Sequence, residues 1–423
     1  MIESEFNAGL LDFLDGSPTP LHAVKRISEA LDIKGFQRLD ESDSWSLEAG
    51  RKYYVTRNGT SIIAFTLPHF LEGFVMLGAH TDSPNLKIKP NPVVISNGFV
   101  QLGVEPYGGL LLNPWFDRDL SIAGRVTFLA SDGEAASEII DFVEPLAMIP
   151  SLAIHLDKDA NKNRSINPQT DIIPIIGCAE ELDFEQMILD HLSDNGTDAQ
   201  KLLSHDLSFY DTQKAGYVGL EREFIVSARI DNLISCYVNT RVMCSVEEDD
   251  ARLMVCLDHE EVGSETTAGA AGSFLESVLR RITKGHEDFT KLMRRSFLVS
   301  CDNAHGVHPN FPSVHDENHA PKINGGPVIK VNANQRYASN SETIARFVQA
   351  AEHAGKRVQY FVSRSDMGCG STIGPVTAAS LGVDTVDIGL PTLAMHSIRE
   401  LAGSGDAMEL YEILLQLHEK GIR

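Results

Sequence analysis

The segment Arg-Leu-Met-Val-Cys-Leu-Asp-His-Glu-Glu-Val-Gly-Ser, residues 252–264, joins an apolar run to a cluster of charged side chains. Residues 253–257 are all apolar, which predicts a short buried strand. The adjacent carboxylates of Glu260 and Glu261 follow this run, and burying them is costly unless a cation offsets their charge. We therefore expect Glu261 to bind a metal ion and Glu260 to act as a general base beside it. A solvated acidic loop is the alternative interpretation of this segment alone.

Four other apolar runs along the chain also end in a residue that commonly binds metals. Together with the first run they supply five candidate ligands: His80, Asp231, Glu261, Asp302 and His396. In an open α/β sheet, ligands collect at the carboxyl ends of the strands. Five such residues therefore indicate one shared site. Two imidazoles and three carboxylates suit two divalent ions, with zinc expected first and manganese or cobalt as alternatives.

A further acid, Asp82, lies two residues after His80. We expect its carboxylate to accept the second ring N–H of His80, which fixes the tautomer of the ligand and raises its basicity. A metal ion at this site makes a water molecule easier to deprotonate, and Glu260 is placed to take the proton and pass it to a leaving amine. The motifs therefore predict hydrolysis by a metal-activated water.

The composition is ordinary for a globular protein, with 43% hydrophobic and 22% charged residues. The formal net charge of −23 disfavours nucleic acids and anionic membranes as partners. The acidic start of the chain does not resemble a secretory signal, and no apolar run is long enough to span a bilayer. Six cysteines without a Cys-x-x-Cys pair are expected to be reduced core thiols. These features predict a cytoplasmic location.

The chain of 423 residues exceeds one compact core, and its pattern changes between residues 91 and 228. Short strand-like runs alternate there with Gly, Pro and Asn, which predicts a mostly β domain with a helix near 183–193. The flanking segments, 1–90 and 229–423, alternate strands with helices. We therefore predict an α/β fold, in which a mixed-sheet catalytic domain is interrupted by an inserted β-rich domain.

Three features are candidates for binding the substrate. Lys330 lies within an apolar strand, where its ammonium needs an anion to contact, although a lysine that extends to the solvent is the alternative. His305 follows Asp302 by three residues and is placed to contact the substrate. The glycine-rich loop 368–372 offers backbone N–H groups to a carboxylate, with Gly370 and Ser371 as the candidate contacts.

Several motifs resemble those of the aspartyl aminopeptidase family of dinuclear zinc peptidases. They are Gly-Ala-His-Thr-Asp-Ser-Pro (78–84), Asp-His-Glu-Glu-Val-Gly-Ser (258–264), Leu-Ala-Met-His-Ser-Ile-Arg-Glu (393–400), and the segments 115–120, 308–310 and 326–332. The likeness covers nearly the whole chain, including the inserted domain. It implies a metallo-aminopeptidase that removes an N-terminal Asp or Glu from short peptides.

The same resemblance assigns roles to the candidate residues. It implies that His80, Asp231 and Asp302 hold one zinc ion, and that Asp231, Glu261 and His396 hold the other. Glu260 is then the base, and Asp82 is the acid that orients His80.

The resemblance also implies that the active protein is a homo-oligomer. The expected assembly is a tetrahedral dodecamer whose enclosed chamber admits only short peptides. His155, in the inserted domain, is implied to reach the active site of a neighbouring subunit. The residues around it alone would indicate only a histidine on an edge strand.

Two other functions are compatible with parts of this pattern. A dinuclear aminopeptidase of broader specificity, or a deacylase, would use the same fold and the same metal ligands. A non-catalytic assembly or binding protein would keep the fold but lose ligands. The presence of all five candidate ligands and Glu260 argues against the second alternative.

Overall fold

A computed structural model describes residues 2–417 of the chain, which divides into two compact units. Of the described residues, the first unit holds 2–82, the segment Ala215–Met395 and 400–417. The second unit holds Ser83–Lys214 and the short segment His396–Arg399.

The strands, in chain order, are Gln37–Leu39 (β1), Arg51–Arg57 (β2), Ser61–Leu67 (β3), Val75–His80 (β4), Asn85–Ser96 (β5), Phe99–Tyr107 (β6), Leu120–Ala130 (β7), Ala135–Asp141 (β8), Ile175–Gly177 (β9), Ala199–Asp211 (β10), Gly216–Val218 (β11), Phe224–Ser227 (β12), Arg252–Leu257 (β13), Phe297–Cys301 (β14), Ala304–His305 (β15), Val328–Lys330 (β16), Gln359–Phe361 (β17), Asp384–Gly389 (β18), Pro391–Leu393 (β19) and Glu400–Gly403 (β20). The α-helices are Glu3–Asp15 (α1), Pro20–Ile33 (α2), Phe184–Asp194 (α3), Ile230–Met243 (α4), Phe274–Ile282 (α5), His286–Arg295 (α6), Ser341–His353 (α7), Ile373–Leu381 (α8) and Asp406–Leu415 (α9).

A nine-stranded mixed sheet forms the centre of the first unit, in the order β1-β2-β3-β13-β4-β14-β18-β16-β17. The middle strands β13, β4, β14 and β18 are parallel neighbours, while β3 and β16 run antiparallel to the strands beside them, β13 and β18. Every residue of β13 is buried. Strands that are covered on both faces of a sheet consist of continuous apolar residues. This explains why residues 253–257 are all apolar and predict a strand.

Side chains of the central sheet alternate between two hydrophobic layers. On β13, Met254 and Cys256 pack into one layer, whereas Leu253 and Val255 pack into the other. Helices α1, α2, α4, α7 and α9 contribute to the first layer, and α5, α6 and α8 to the second. The first unit is therefore an α/β structure with helices on both faces of a mixed sheet, as the sequence predicts.

The second unit is built on a six-stranded sheet in the order β8-β7-β10-β5-β6-β9, whose strand pairs are antiparallel. The helix expected near 183–193 is α3, which begins after Asp183. The carboxylate of Asp183 caps this helix by accepting the backbone N–H of Gln186 at 2.9 Å. The inserted segment is thus mostly β with one helix, as expected.

The unit boundaries differ from the predicted domain limits of 1–90, 91–228 and 229–423. Residues 83–90 join the second unit because β5 begins at Asn85 and pairs with β10. Residues 215–228 join the first unit because β11 pairs with β12, which in turn pairs with β20. Residues 1 and 418–423 of the predicted limits lie outside the described residues.

Two expectations from composition can be compared with the structure. All six cysteines are free rather than joined in disulfides, and Cys236, Cys256 and Cys301 are buried. Cys178 is exposed, so the prediction of a core thiol is wrong for that residue. Within residues 2–417, none of the helices combines the length and the apolar character that crossing a bilayer requires.

Candidate metal centre

His80 is the last residue of β4, and two buried carboxylates surround its ring. Its Nε2 atom lies 3.3 Å from Oδ1 of Asp231 and 3.4 Å from Oδ1 of Asp302. These ligand atoms all lie within 4.8 Å of one another. The register of the sheet explains the approach, because Ser300 on β14 pairs with Gly78 on β4 and so places Asp302 level with His80. Asp231 comes from the first turn of α4.

The two adjacent glutamates approach the same edge of the sheet from β13. Leu257 pairs with His80, and the chain then enters the short 3₁₀ turn Glu260–Val262. Carboxylate oxygens of Glu260 and Glu261 form a second group of donors with His80, again within 4.8 Å of one another. The segment is therefore not a solvated acidic loop, since both acids lie at a cluster of potential metal ligands.

Asp82 fixes the position of this turn through its carboxylate. Its Oδ1 accepts the backbone N–H of Glu260 and its Oδ2 accepts that of Glu261, each at 3.1 Å. The contact to His80 differs in detail from the prediction. Nδ1 of His80 lies 3.0 Å from the backbone carbonyl of Asp82 but 3.4 Å from its Oδ1. The carbonyl is the nearer acceptor because the carboxylate is turned toward the two backbone N–H groups.

Burial and charge shift the pKa values of four side chains in the cluster. Burial raises the pKa of Glu260 to about 7 and that of Glu261 to about 10, and neighbouring carboxylates add to both shifts. Burial also works to raise the pKa of Asp302, but the Lys330 ammonium and His80 outweigh it and hold that pKa well below its usual range. Burial opposes charging of His80, yet hydrogen bonds to the surrounding carboxylates hold its pKa well above the ordinary value.

These donors fit a divalent metal. Imidazole nitrogen and carboxylate oxygen are zinc ligands, and His80, Asp231 and Asp302 present them from three different elements. The carboxylates of Glu260 and Glu261, whose pKa values are raised by burial, would be stabilised in their charged form by a bound cation. The chemistry of the donor set and its electrostatics therefore agree.

His396, the fifth candidate ligand, belongs to the second unit, on the segment His396–Arg399. Its Nδ1 lies 3.1 Å from the carbonyl oxygen of Gly109, which leaves Nε2 as the nitrogen suited to bind a metal. Its role in binding the second ion stays a prediction.

Lys330 ends β16, and its side chain is only 2% exposed. Its Nζ donates to Oδ2 of Asp302 at 3.1 Å and to the carbonyl of Asn303 at 3.0 Å. The anion that a buried strand lysine needs is thus present within the chain, and the alternative of a lysine extending to solvent does not apply. The predicted contact between Lys330 and an acidic substrate stays a prediction.

His305 and Gly368, the first residue of the glycine-rich loop, border one cavity of about 310 Å³. Its walls include Phe361, Met367, Gly368 and Met395. The His305 ring lies edge-on to the Phe361 ring, with 5.7 Å between the two ring centroids. The structure therefore places His305 and the first residue of this loop at one cavity, and their contact with substrate stays a prediction. The two loop residues singled out by sequence, Gly370 and Ser371, are exposed. The Ser371 hydroxyl donates to the carbonyl of Arg336 at 3.2 Å.

His155 lies in the second unit on an exposed turn, not on the edge strand that the local pattern indicates. The backbone N–H of Leu156 donates to the carbonyl of Ala153 at 2.8 Å, which closes the turn. Leu152, Ile154 and Leu156 are 51%, 53% and 74% exposed. Their spacing at every second residue mimics a strand, but the segment presents these aliphatic side chains at the surface instead.

Glu400 contacts the candidate ligand Asp231, and the sequence did not predict a role for it. It is 2% exposed, and its Oε2 accepts the backbone N–H of the candidate ligand Asp231 at 2.9 Å. Two features of the sequence could have indicated its importance. Glu400 ends the motif 393–400, and it is an acid at the start of the strand β20. It holds the backbone of Asp231 rather than the metal donors themselves.

Comparisons with known proteins agree with this geometry. The family model described as Aminopeptidase I zinc metalloprotease (M18) matches residues 13–417. A probable M18 family aminopeptidase 2 of Pseudomonas aeruginosa is 54% identical over 421 residues, covering 98% of each chain. The cryo-EM structure of the Ape4 and Nbr1 complex matches 98% of this chain and 86% of that chain, with a TM-score of 0.94 and 39% identity. The S. cerevisiae mApe1 dodecamer matches 98% of this chain and 96% of that chain, with a TM-score of 0.85 and 29% identity. The resemblance expected from the motifs is confirmed, and the chain belongs to the M18 family of zinc metallo-aminopeptidases.

Proposed function

We propose that this chain is an aminopeptidase that removes an unblocked N-terminal aspartate or glutamate from short peptides at a two-zinc site. The observation that carries the proposal is the convergence of His80, Asp231 and Asp302 at one edge of the sheet, with Glu260 beside them. Membership of a zinc aminopeptidase family gives this cluster its chemistry.

In this proposal the two ions share Asp231 as a common ligand. His80 and Asp302 complete the first site, while Glu261 and His396 complete the second. When bound, zinc supplies Lewis acidity that polarises the scissile carbonyl and makes a water molecule easier to deprotonate.

Glu260 is the proposed general base. Its carboxylate takes a proton from the attacking water, whose oxygen forms the new bond to the carbonyl carbon. The C–N bond then breaks, and Glu260 returns the proton to the leaving amine nitrogen. The support for this role is positional, because Asp82 anchors the backbone of Glu260 on the turn that faces His80.

The preference for an acidic first residue is proposed from the resemblance of the motifs. Lys330, His305, Gly370 and Ser371 are the proposed contacts of the substrate within one subunit. His155 is proposed to reach the active site of a neighbouring subunit, and the exposed aliphatic side chains beside it suit a subunit interface. The similar S. cerevisiae mApe1 is a dodecamer. We propose the same assembly here, in the cytoplasm.

Two measurements on the purified protein test the proposal. Zinc content by elemental analysis is expected to be two ions per subunit, and a chelator is expected to abolish activity that added zinc restores. Anilides of Asp, Glu, Leu and Lys then test selectivity, with turnover expected for the first two.

Each alternative predicts a different result. Equal turnover of Leu and Asp anilides would indicate an aminopeptidase of broader specificity. Hydrolysis of acylated amines instead of free N-termini would indicate a deacylase. Bound metal without hydrolysis of any peptide would support a non-catalytic binding or assembly protein.

A further inference from the structure

The ammonium of Lys330 is enclosed by groups of the chain itself. It donates to Oδ2 of Asp302 at 3.1 Å and to the carbonyl of Asn303 at 3.0 Å. Nζ also lies 5.1 Å from the centre of the Tyr337 ring. Two hydrogen bonds and one ring face therefore fix the direction of an ammonium that has three donors.

The two oxygens of Asp302 have different partners. Oδ2 accepts from Lys330, whereas Oδ1 accepts the backbone N–H of Asn303 at 2.7 Å and lies 3.4 Å from Nε2 of His80. The oxygen next to the candidate metal donors is thus the one that Lys330 does not contact. A carboxylate held in this way presents one oxygen, rather than two, to an ion beside His80.

We propose that Lys330 is a positioning residue for the metal ligand Asp302, because it holds Oδ2 and leaves Oδ1 alone to face the ion. This inference rests on the proposed zinc site at His80, Asp231 and Asp302. It differs from the substrate contact that is predicted for the same lysine from its place in an apolar strand.

Two effects of the lysine on a bound cation oppose each other. The positive charge of Lys330 repels the ion, although the ammonium lies at the far oxygen of Asp302 and neutralises part of an acidic cluster. Its hydrogen bond to Oδ2 orients Asp302 and so favours binding of the ion. Groups that orient a metal ligand in this way typically contribute about 10–100-fold to metal affinity or activity. We expect the orienting effect to dominate.

The test is a measurement of zinc affinity that needs no substrate. Apo protein is titrated with zinc against a chelating indicator, for the wild-type chain and for Lys330→Met, which keeps most of the length of the side chain and removes the charge. Lys52→Met is the matched control, because Nζ of Lys52 donates to the carbonyl of Val246, away from the cluster.

The expected loss of affinity is about 10–100-fold for Lys330→Met and less than about threefold for Lys52→Met. A double-mutant cycle adds the decisive comparison. In an Asp302→Asn background, Lys330→Met is expected to change zinc affinity by less than about threefold. An equal loss in both backgrounds would overturn the inference, since Lys330 would then act by another route.

Other outcomes are equally informative. Unchanged or increased zinc affinity in Lys330→Met, together with a raised KM for Asp substrates, would overturn the inference and leave the zinc site intact. A wild-type chain that binds no zinc would overturn the proposed function itself. If Lys330→Met does not fold, a crystal structure of the zinc-loaded wild type decides. Coordination by both oxygens of Asp302, or an ammonium turned away from Oδ2, would contradict the proposal.

Discussion

The carboxylate of Asp82 accepts the backbone N–H of Glu260 at 3.1 Å, which ties the proposed base to the segment that carries the proposed ligand His80. The same carboxylate accepts the backbone N–H of Glu261 through its other oxygen. One acid therefore sets the place of both glutamates, while its own backbone carbonyl accepts from the His80 ring.

Asp82→Asn is expected to reduce kcat by about 10–100-fold while zinc affinity changes little. An amide has a single acceptor oxygen, so one of the two backbone N–H groups loses its partner. The backbone carbonyl that orients His80 remains. Steady-state kinetics and a zinc titration of the same preparation check this. Lost zinc with an unchanged kcat per bound ion would show that Asp82 acts on the metal ligand instead.

Glu260→Gln is expected to retain zinc and lose about 10²–10⁴-fold in kcat, because the amide cannot take a proton from water. The backbone contact to Asp82 is unaffected by this change. The side chain of Glu260 also lies in a group of potential metal donors with His80 and Glu261. Zinc analysis therefore discriminates the two roles, and loss of an ion in the variant would identify Glu260 as a ligand.

Glu400→Ala is expected to lower both zinc affinity and thermal stability. The substitution removes the acceptor of the buried Asp231 N–H, and leaving such a donor unsatisfied costs about 1–3 kcal/mol. Glu400→Gln keeps an acceptor oxygen and is the matched control, for which most of the affinity should remain. Calorimetry of the apo proteins and zinc titrations test this. Equal behaviour of the Ala and Gln variants would exclude the hydrogen bond as the cause.

The buried Asp406 predicts a pH dependence of stability that is independent of the metal centre. Burial raises its pKa to about 6, although the backbone N–H groups of Asn324 and Gly326 donate to it. Because the pKa of the folded state is the higher one, its stabilising contribution is complete below the unfolded pKa of about 3.9. As the pH rises from about 4 through 6, that contribution is lost, to a total of up to about 3 kcal/mol.

Asp406→Asn stays neutral and should not show this loss. Its unfolding temperature relative to wild type is therefore expected to rise between pH 4 and pH 7. Asp132→Asn, at an exposed turn, is the control and should follow the wild type. Parallel pH profiles for the Asp406 variant and the wild type would contradict the prediction.

The parts of the site that follow buried parallel strands could be predicted from sequence. An apolar run ending in a polar residue marks the carboxyl end of such a strand, and His80, Glu261 and Asp302 all follow that rule. The family motifs and the α/β fold class follow from the same segments. Local sequence contains this information because strand and site are contiguous.

The remaining contacts depend on long-range register, which local patterns do not contain. Glu400, on β20, reaches Asp231, in the first turn of α4, across 169 positions of sequence. Lys330 contacts Asp302 because β16, which ends at Lys330, and β14, which precedes Asp302, lie on opposite sides of β18. β16 runs antiparallel to β18, whereas β14 runs parallel to it. At His155 the alternation of aliphatic residues predicted a strand, but the chain there forms an exposed turn.

The three-residue segment from His80 to Asp82 carries both a proposed ligand and the anchor of the proposed base, so neither can be shifted without the other. The cavity bordered by His305, Phe361 and Met367 is built from other stretches of the chain. If this cavity holds the substrate as proposed, single substitutions in its walls should change substrate preference. An insertion or deletion between residues 80 and 82 should abolish both metal binding and turnover. Laboratory evolution of substrate preference would therefore randomise the residues that line the cavity and keep residues 80–82 unchanged.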